Sequence, residues 1–361
     1  MNARLWAWGR RAVGTTAAWL LAACPHAPDG SPSAAEPSPS VRFVGRFDLS
    51  EPDHPRFAWS ASAIQTRFTG KALHVHLKGT GYDELQVVVD GAPSGVIAMN
   101  PTKEDYEVVS GLGDGPHELV LSKRTEARTG EVQFLGFEPG VVLAPPARAA
   151  ARRVELIGDS ITAGYGDEGL GPRCTGSPVT QENEYLSYGA LAARSVGAEH
   201  VTVAWSGRTT EEMNDLYDRI LPSRPASRWD FTRWTPDAVV INLGTNEFNH
   251  ADPGQGAFTR PYLAFVQKVR ALYPRAVIVC ALGPMLTDNY PTGVHALTRA
   301  RGYITQVVTQ LRAAGDKRVS FLEFPSQDFA NGLGCDYHPS LKTHRLMGEQ
   351  LADALRAQLQ W

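Results

Sequence analysis

Four short segments hold the side chains that could do chemistry, and each follows a stretch able to position it. Gly158-Asp159-Ser160-Ile161-Thr162 comes directly after the apolar run Val154 to Ile157. A serine opening a helix has its hydroxyl beside free backbone N–H groups and the positive end of the helix dipole. Such N–H groups can hold a developing oxyanion, so Ser160 is a candidate nucleophile, although serine in this position also serves as a plain helix cap. Ser206-Gly207-Arg208 follows a second apolar run. Glycine lets the backbone approach a ligand closely, and the Gly207 N–H could be a second oxyanion donor. Gly244-Thr245-Asn246-Glu247 follows a third. The Asn246 amide is a neutral donor able to complete an oxyanion hole. Asp336-Tyr337-His338-Pro339 precedes the last helical stretch. Histidine is the usual general base for a serine nucleophile, and a nearby carboxylate such as Asp336 could orient it.

Together these residues could carry acyl transfer. His338 would take the Ser160 proton and Ser160 would attack an ester carbonyl. The Ser160 and Gly207 N–H groups and the Asn246 amide would bind the oxyanion, and water would release the acyl group. The chemistry needs no metal or other cofactor. His74 and His76 share one strand face, but no third ligand stands near them, so they read as a solvated surface pair. There is no Gly-x-Ser-x-Gly elbow, which disfavours the ordinary α/β-hydrolase arrangement.

The elements that must position these groups fall into two regions. From 41 to 147 short alternating runs dominate, as in Leu73-His74-Val75-His76-Leu77, with turns at Asp90-Gly91 and Asp114-Gly115-Pro116. That pattern predicts an all-β sandwich of jelly-roll type. Pro145 to Ala150 marks a boundary. From 148 to 361 strands and helices alternate, which predicts an α/β domain: a parallel sheet with helices on both faces, three layers in all. Strands are expected at 154–157, 201–204, 238–243, 277–282 and 319–322. Helices are expected at 186–196, 211–221, 258–272, 294–313 and 341–359. Functional groups gather where such strands end and helices begin.

The chain has 361 residues and a formal net charge of −3, with no basic patch, so nucleic acid is not an expected partner. Arg4, Arg10 and Arg11 precede an apolar stretch, Ala12 to Ala23, too short to span a bilayer. This reads as a secretory signal over 1–24. Its end, Leu21-Ala22-Ala23-Cys24, resembles the bacterial lipobox, which implies lipidation at Cys24 and an envelope-anchored or secreted protein. Residues 25–40 are rich in Pro, Ser and Ala and read as a linker. Of the remaining cysteines, Cys280 lies in an apolar run. Cys174 and Cys335 could pair, since export permits it, or all three could be reduced.

Taken in order, the four segments resemble the signature blocks of the SGNH (GDSL-like) hydrolase superfamily, whose Ser, Gly, Asn and His fall at Ser160, Gly207, Asn246 and His338. With a jelly-roll region in front, the chain resembles carbohydrate esterase family two, of acetyl-xylan-esterase type. The matching stretches are Gly158 to Gly166, Cys174 through Glu182-Asn183 to Tyr188, Gly244-Thr245-Asn246 and Gly334 to Pro339. The resemblance implies removal of O-acetyl groups from polysaccharide or oligosaccharide. A monomer is expected, meeting the membrane only through its lipid anchor. A lipase, thioesterase or arylesterase of the same superfamily is the alternative, and a silent glycan-binding protein a further one. One position departs from the superfamily pattern. The acid three residues before the histidine is replaced by Cys335, and Asp336 lies two before. The resemblance therefore leaves two options for His338: the Asp336 carboxylate, or a backbone carbonyl and a Ser-His dyad. Tyr217, Tyr290, Trp205 and Tyr337 lie near the blocks and are the candidate sugar platforms, Tyr217 and Tyr290 foremost.

Overall fold

Alternating side chains between Val41 and Ala144 form ten strands in a computed structural model that describes residues 39–175 and 178–361. The expected signal sequence, Cys24 and most of the linker lie outside the described residues. The strands are β1 (Val41–Val44), β2 (Arg56–Phe57), β3 (Ala63–Thr69), β4 (Leu73–Gly79), β5 (Glu84–Val89), β6 (Ala92–Ala98), β7 (Asp105–Val109), β8 (Pro116–Lys123), β9 (Val132–Phe137) and β10 (Val142–Ala144). They make two antiparallel sheets. One runs β1-β3-β8-β5-β6 with β10 beside β3, and the other β2-β9-β4-β7. Asp90 and Gly91 take φ of 51° and 80°, the two positive values that a tight β5–β6 hairpin requires. Inward residues of both sheets, among them Ile64, Phe68, Val75, Leu77, Leu85 and Leu121, share one apolar core. Each such side chain stabilises the fold by roughly 1.5–3 kcal/mol on burial.

The second region holds five parallel strands: β11 (Arg152–Gly158), β12 (Ala198–Ala204), β13 (Ala238–Asn242), β14 (Val277–Leu282) and β15 (Val319–Glu323). Their order is β12-β11-β13-β14-β15. The helices are α1 (Ser160–Ala163), α2 (Tyr188–Ser195), α3 (Thr210–Leu216), α4 (Gln255–Leu272), α5 (Ala296–Ala313) and α6 (Leu341–Leu359). Because strand side chains alternate, Leu156 and Val240 point to one face and pack with Tyr188, Ala192, Met347 and Leu351 of α2 and α6. Ile157 and Ile241 point to the other and pack with Met213, Phe258, Phe265 and Ile304 of α3, α4 and α5. The result is a three-layer α/β/α body. From β11 the chain goes first to β12 on one side and later to β13 on the other, and an open sheet is left with a crevice at such a switch.

The helices expected at 186–196 and 294–313 are trimmed by two or three residues, and a third is cut by more than a turn. The expected 211–221 helix stops at Leu216. The carbonyls of Tyr217 and Arg219 accept hydrogen bonds from the Arg46 guanidinium, the Leu221 N–H goes to Ser227 Oγ at 3.0 Å, and Pro222 follows. Nothing is left to extend the helical ladder.

The same Arg46, from the loop after β1, shows how closely the sandwich and the α/β body are joined. It is fully buried and pairs with Glu155 of β11 at 3.1 Å. Its guanidinium also lies 4.9 Å from the Tyr217 ring centre and 5.4 Å from that of Phe231. Trp59 donates its indole N–H to Arg219 O at 3.1 Å, and Arg42 pairs with Glu199 at 2.6 Å. Residues 39–361 accordingly pack as one unit rather than two.

Candidate active site

Ser160 is the first residue of α1, at the carboxyl end of β11, the strand between β12 and β13. A Cβ on Gly158 would lie 2.0 Å from the Thr162 hydroxyl oxygen, so only glycine lets the strand turn this tightly. Asp159 caps the helix, its Oδ1 accepting from the Ile161 N–H at 3.0 Å. Ser160 itself is 8% exposed.

His338 arrives on a loop 178 residues later, and its Nε2 lies 2.8 Å from Ser160 Oγ. Its Nδ1 lies 3.0 Å from the backbone carbonyl oxygen of Cys335. A carbonyl oxygen can only accept, so Nδ1 carries the proton and Nε2 is the free base that accepts from the serine hydroxyl. Asp336 does not perform this task. Its carboxylate accepts from the Tyr165 hydroxyl at 2.8 Å and faces solvent. The reason is backbone conformation. Asp336 and Tyr337 take left-handed φ of 48° and 63°, which turns the Asp336 side chain outward and brings the Cys335 carbonyl under the imidazole. Each left-handed non-glycine residue costs roughly 1–2 kcal/mol and persists only where its surroundings over-determine it. Here the Cys174–Cys335 disulfide and the Cys335 N–H donating to Gly166 O at 2.9 Å supply that constraint. Cys280 is buried and unpaired.

The oxyanion candidates meet at the same crevice. Trp205-Ser206-Gly207-Arg208 forms a turn after β12, closed by Arg208 N–H donating to Trp205 O at 3.3 Å. Gly207 has φ of 79°, the value that the third position of a type II turn demands. Asn246, after β13, donates from Nδ2 to the Arg208 carbonyl at 3.0 Å and to Asp159 Oδ2 at 3.2 Å. An oxyanion would compete for one of those two hydrogens.

Burial sets the electrostatics. Desolvation lowers the His338 pKa, opposed by the hydrogen bond to the Cys335 carbonyl and the Asp336 charge, so the imidazole is neutral at neutral pH. Burial pushes Asp159 up to about 7, aided by the nearby Glu247 and Glu126 carboxylates. The Tyr165 hydroxyl is raised to about 12, by burial first and Asp336 second. The Tyr165 ring lies 4.7 Å from the His338 ring.

The aromatic expectations divide. Tyr217 is wholly buried, its hydroxyl donating to Glu155 Oε2 at 2.6 Å, so it belongs to the core and offers no sugar platform. Its place near the block after the second strand made it a candidate, but Arg46 and Glu155 draw it inward. Trp205 is half-buried, edge-on to Trp59 at 6.4 Å and beneath Arg208. Tyr337, next to His338, is 59% exposed, and Tyr290, on the loop after β14, is 74% exposed. His74 and His76 lie on the outer face of the sandwich, His74 Nδ1 being 3.1 Å from Asp105 Oδ1. Sequence reasoning passed over two residues at the site, Tyr165 and Glu126. The only sign of the latter was the charged run Lys123 to Arg128 interrupting the β alternation.

A parallel sheet of this order, with Ser, Gly, Asn and His at its carboxyl edge, defines a serine hydrolase of the SGNH or GDSL-like type. Residues 43–146 match the family described as Carbohydrate esterase 2 N-terminal, and residues 156–346 match the GDSL-like Lipase/Acylhydrolase family. A solved family two carbohydrate esterase from Clostridium thermocellum, in complex with cellohexaose, is 40% identical and superposes with a TM-score of 0.85 over 89% of this chain and 99% of that one. Cellulase/esterase CelE of Acetivibrio thermocellus is 41% identical over 345 residues. That match covers 92% of this chain, which spans only 41% of the length of CelE. An acetylxylan esterase / glucomannan deacetylase of Cellvibrio japonicus is 27% identical, covering 95% of this chain and 97% of that protein. The chain belongs to carbohydrate esterase family two and is a carboxylic ester hydrolase.

Proposed function

We propose that this esterase removes O-acetyl groups from polysaccharides or oligosaccharides of xylan or mannan type through an acetyl-serine intermediate on Ser160. The observation that carries the reading is the 2.8 Å contact of Ser160 Oγ with a His338 Nε2 whose free-base form the Cys335 carbonyl enforces. Ser160 attacks the acetyl carbonyl as Nε2 takes its proton. The negative charge develops toward the Ser160 and Gly207 N–H groups and the Asn246 amide. His338 then protonates the departing sugar hydroxyl, and a water activated by the same imidazole hydrolyses the acetyl-enzyme. Exposed Tyr337 and Tyr290 offer apolar ring faces on which a sugar can stack.

The test is acetate release from acetylated xylan and glucomannan by the wild type and by Ser160→Ala. The variant is expected to lose at least 10³-fold in kcat, in line with removal of a triad nucleophile. Equal rates would overturn the assignment. Turnover of long acyl esters matching that of acetate esters would favour a lipase instead.

We also infer that the protein is exported and lipid-anchored at Cys24. Three arginines before an apolar stretch ending Leu21-Ala22-Ala23-Cys24 support this, as does a disulfide of the kind oxidising compartments allow. Metabolic labelling with palmitate, lost in Cys24→Ala, is the check.

A further inference from the structure

The oxyanion turn lies in the α/β body, yet the group that grips it comes from the sandwich. Glu126 sits just after β8, on the segment that leaves the sandwich toward the crevice, and its side chain is fully buried. Its Oε2 accepts from the Ser206 backbone N–H at 2.6 Å. That is a charge-assisted bond, across 80 residues of sequence, to the peptide that enters the Trp205–Arg208 turn.

Glu126 is itself held on every side. Its backbone N–H donates to Glu182 Oε1 at 2.5 Å. Its carbonyl accepts from the Lys123 ammonium at 3.0 Å, and Lys123 is buried and paired with Asp83 at 2.7 Å. The Arg128 guanidinium binds Oε1. Only Oε2 is left to reach across. The turn is thus fastened at its entrance by Glu126 and at its exit by Asn246, through the Arg208 carbonyl. Between these fixed points lies Gly207. Its N–H has no hydrogen-bond partner among the described residues, and a Cβ there would meet nothing within 4 Å.

We propose that Glu126 is a positioning residue for catalysis: the sandwich delivers its carboxylate to the Ser206 N–H and so aims the Gly207 N–H at the oxyanion. This rests on the reading of Ser160 as nucleophile and Gly207 as oxyanion donor. An oxyanion hole works because its donors are set before charge develops, so a turn free to rock loses rate without losing substrate affinity. On this account the sandwich is part of the catalytic machinery and not only a wall of the cleft.

The test compares Glu126→Ala, Glu126→Gln and Glu126→Asp with the wild type and Ser160→Ala, in the full chain, on 4-nitrophenyl acetate. Removing an oxyanion donor outright costs about 10²–10³-fold in kcat, and loosening one should cost about 10–100-fold. Glu126→Ala is therefore expected to lower kcat by that factor with KM within about threefold. Glu126→Gln keeps an oxygen acceptor for Ser206 but turns its NH2 toward Arg128, so it should recover part of the rate and stand clearly above Ala. Glu126→Asp keeps the charge but draws the oxygen back by one methylene, and it should lose kcat as Ala does. If the Ala variant does not fold, the Gln and Asp pair decides. A merely structural role would lower the melting temperature while leaving kcat of the folded fraction unchanged, and that result overturns the proposal. So does Gln as impaired as Ala, or a loss appearing only in KM. Retained activity in Ser160→Ala would instead overturn the nucleophile assignment, which keeps the two failures apart.

Discussion

Replacing Asp336 by Asn separates a backbone-oriented histidine from a carboxylate-oriented one. Asparagine tolerates the left-handed φ of 48° at this position, and its amide oxygen can still accept from the Tyr165 hydroxyl, so the loop should keep its shape. What is removed is one exposed negative charge beside His338. In a water-like dielectric a unit charge a few ångströms away is worth about 1 kcal/mol or less, which is about fivefold in rate. The proton on Nδ1 stays where it is, because the Cys335 carbonyl holds it. A carboxylate that fixes the tautomer behaves differently, and its loss costs about 10⁴-fold in kcat. The assay is initial-rate hydrolysis of 4-nitrophenyl acetate from pH 5 to 9, alongside thermal unfolding. The expected result is a loss of no more than about fivefold, an unchanged melting temperature and an acid limb moved to lower pH, since the Asp336 charge raises the His338 pKa. A loss of 10³-fold or more in a fully folded variant would refute the reasoning and place Asp336 on Nδ1 during turnover.

Other outcomes follow from the same geometry. In the wild type kcat/KM should rise with pH along a single limb whose pKa lies below the ordinary 6.5 of histidine, because the neutral imidazole is the working form and burial disfavours its protonation; an apparent value above 6.5 would contradict this. Cys174→Ser opens a link between positions 161 residues apart and should cost about 2–5 kcal/mol of stability, read by urea unfolding. It should also lower kcat, because Cys335 carries the carbonyl that orients His338. Glu155→Ala leaves the buried Arg46 guanidinium uncompensated and should destabilise the chain by about 3–5 kcal/mol in the same measurement.

Much of the architecture was legible because it is local. Apolar runs such as Val277 to Leu282 are strands since a sheet covered on both faces needs every residue buried, and β14 has those same bounds. Leu341 to Leu359 is a helix because Ser340 caps it and its apolar residues recur on one face. Ser160, Gly207, Asn246 and His338 stood out for a related reason: each sits at or beside the end of an element, and elements can be read from short windows.

What no window contains is the partner of a side chain. Whether His338 leans on Asp336 or on a carbonyl depended on two left-handed residues, which a disulfide to Cys174 and a contact with Gly166 hold in place. Tyr217 lies near a site block in the sequence, and a buried arginine 171 positions away made it core. Glu126 belongs to the sandwich by sequence and reaches the Trp205–Arg208 turn only because the two regions pack as one. By itself the sequence determined which elements form and which residues lie at their ends, since propensity and periodicity act over a few residues. The tertiary structure alone decided which carboxylate, carbonyl or ring each functional group meets, because those pairings are set by packing between segments that are far apart in the chain.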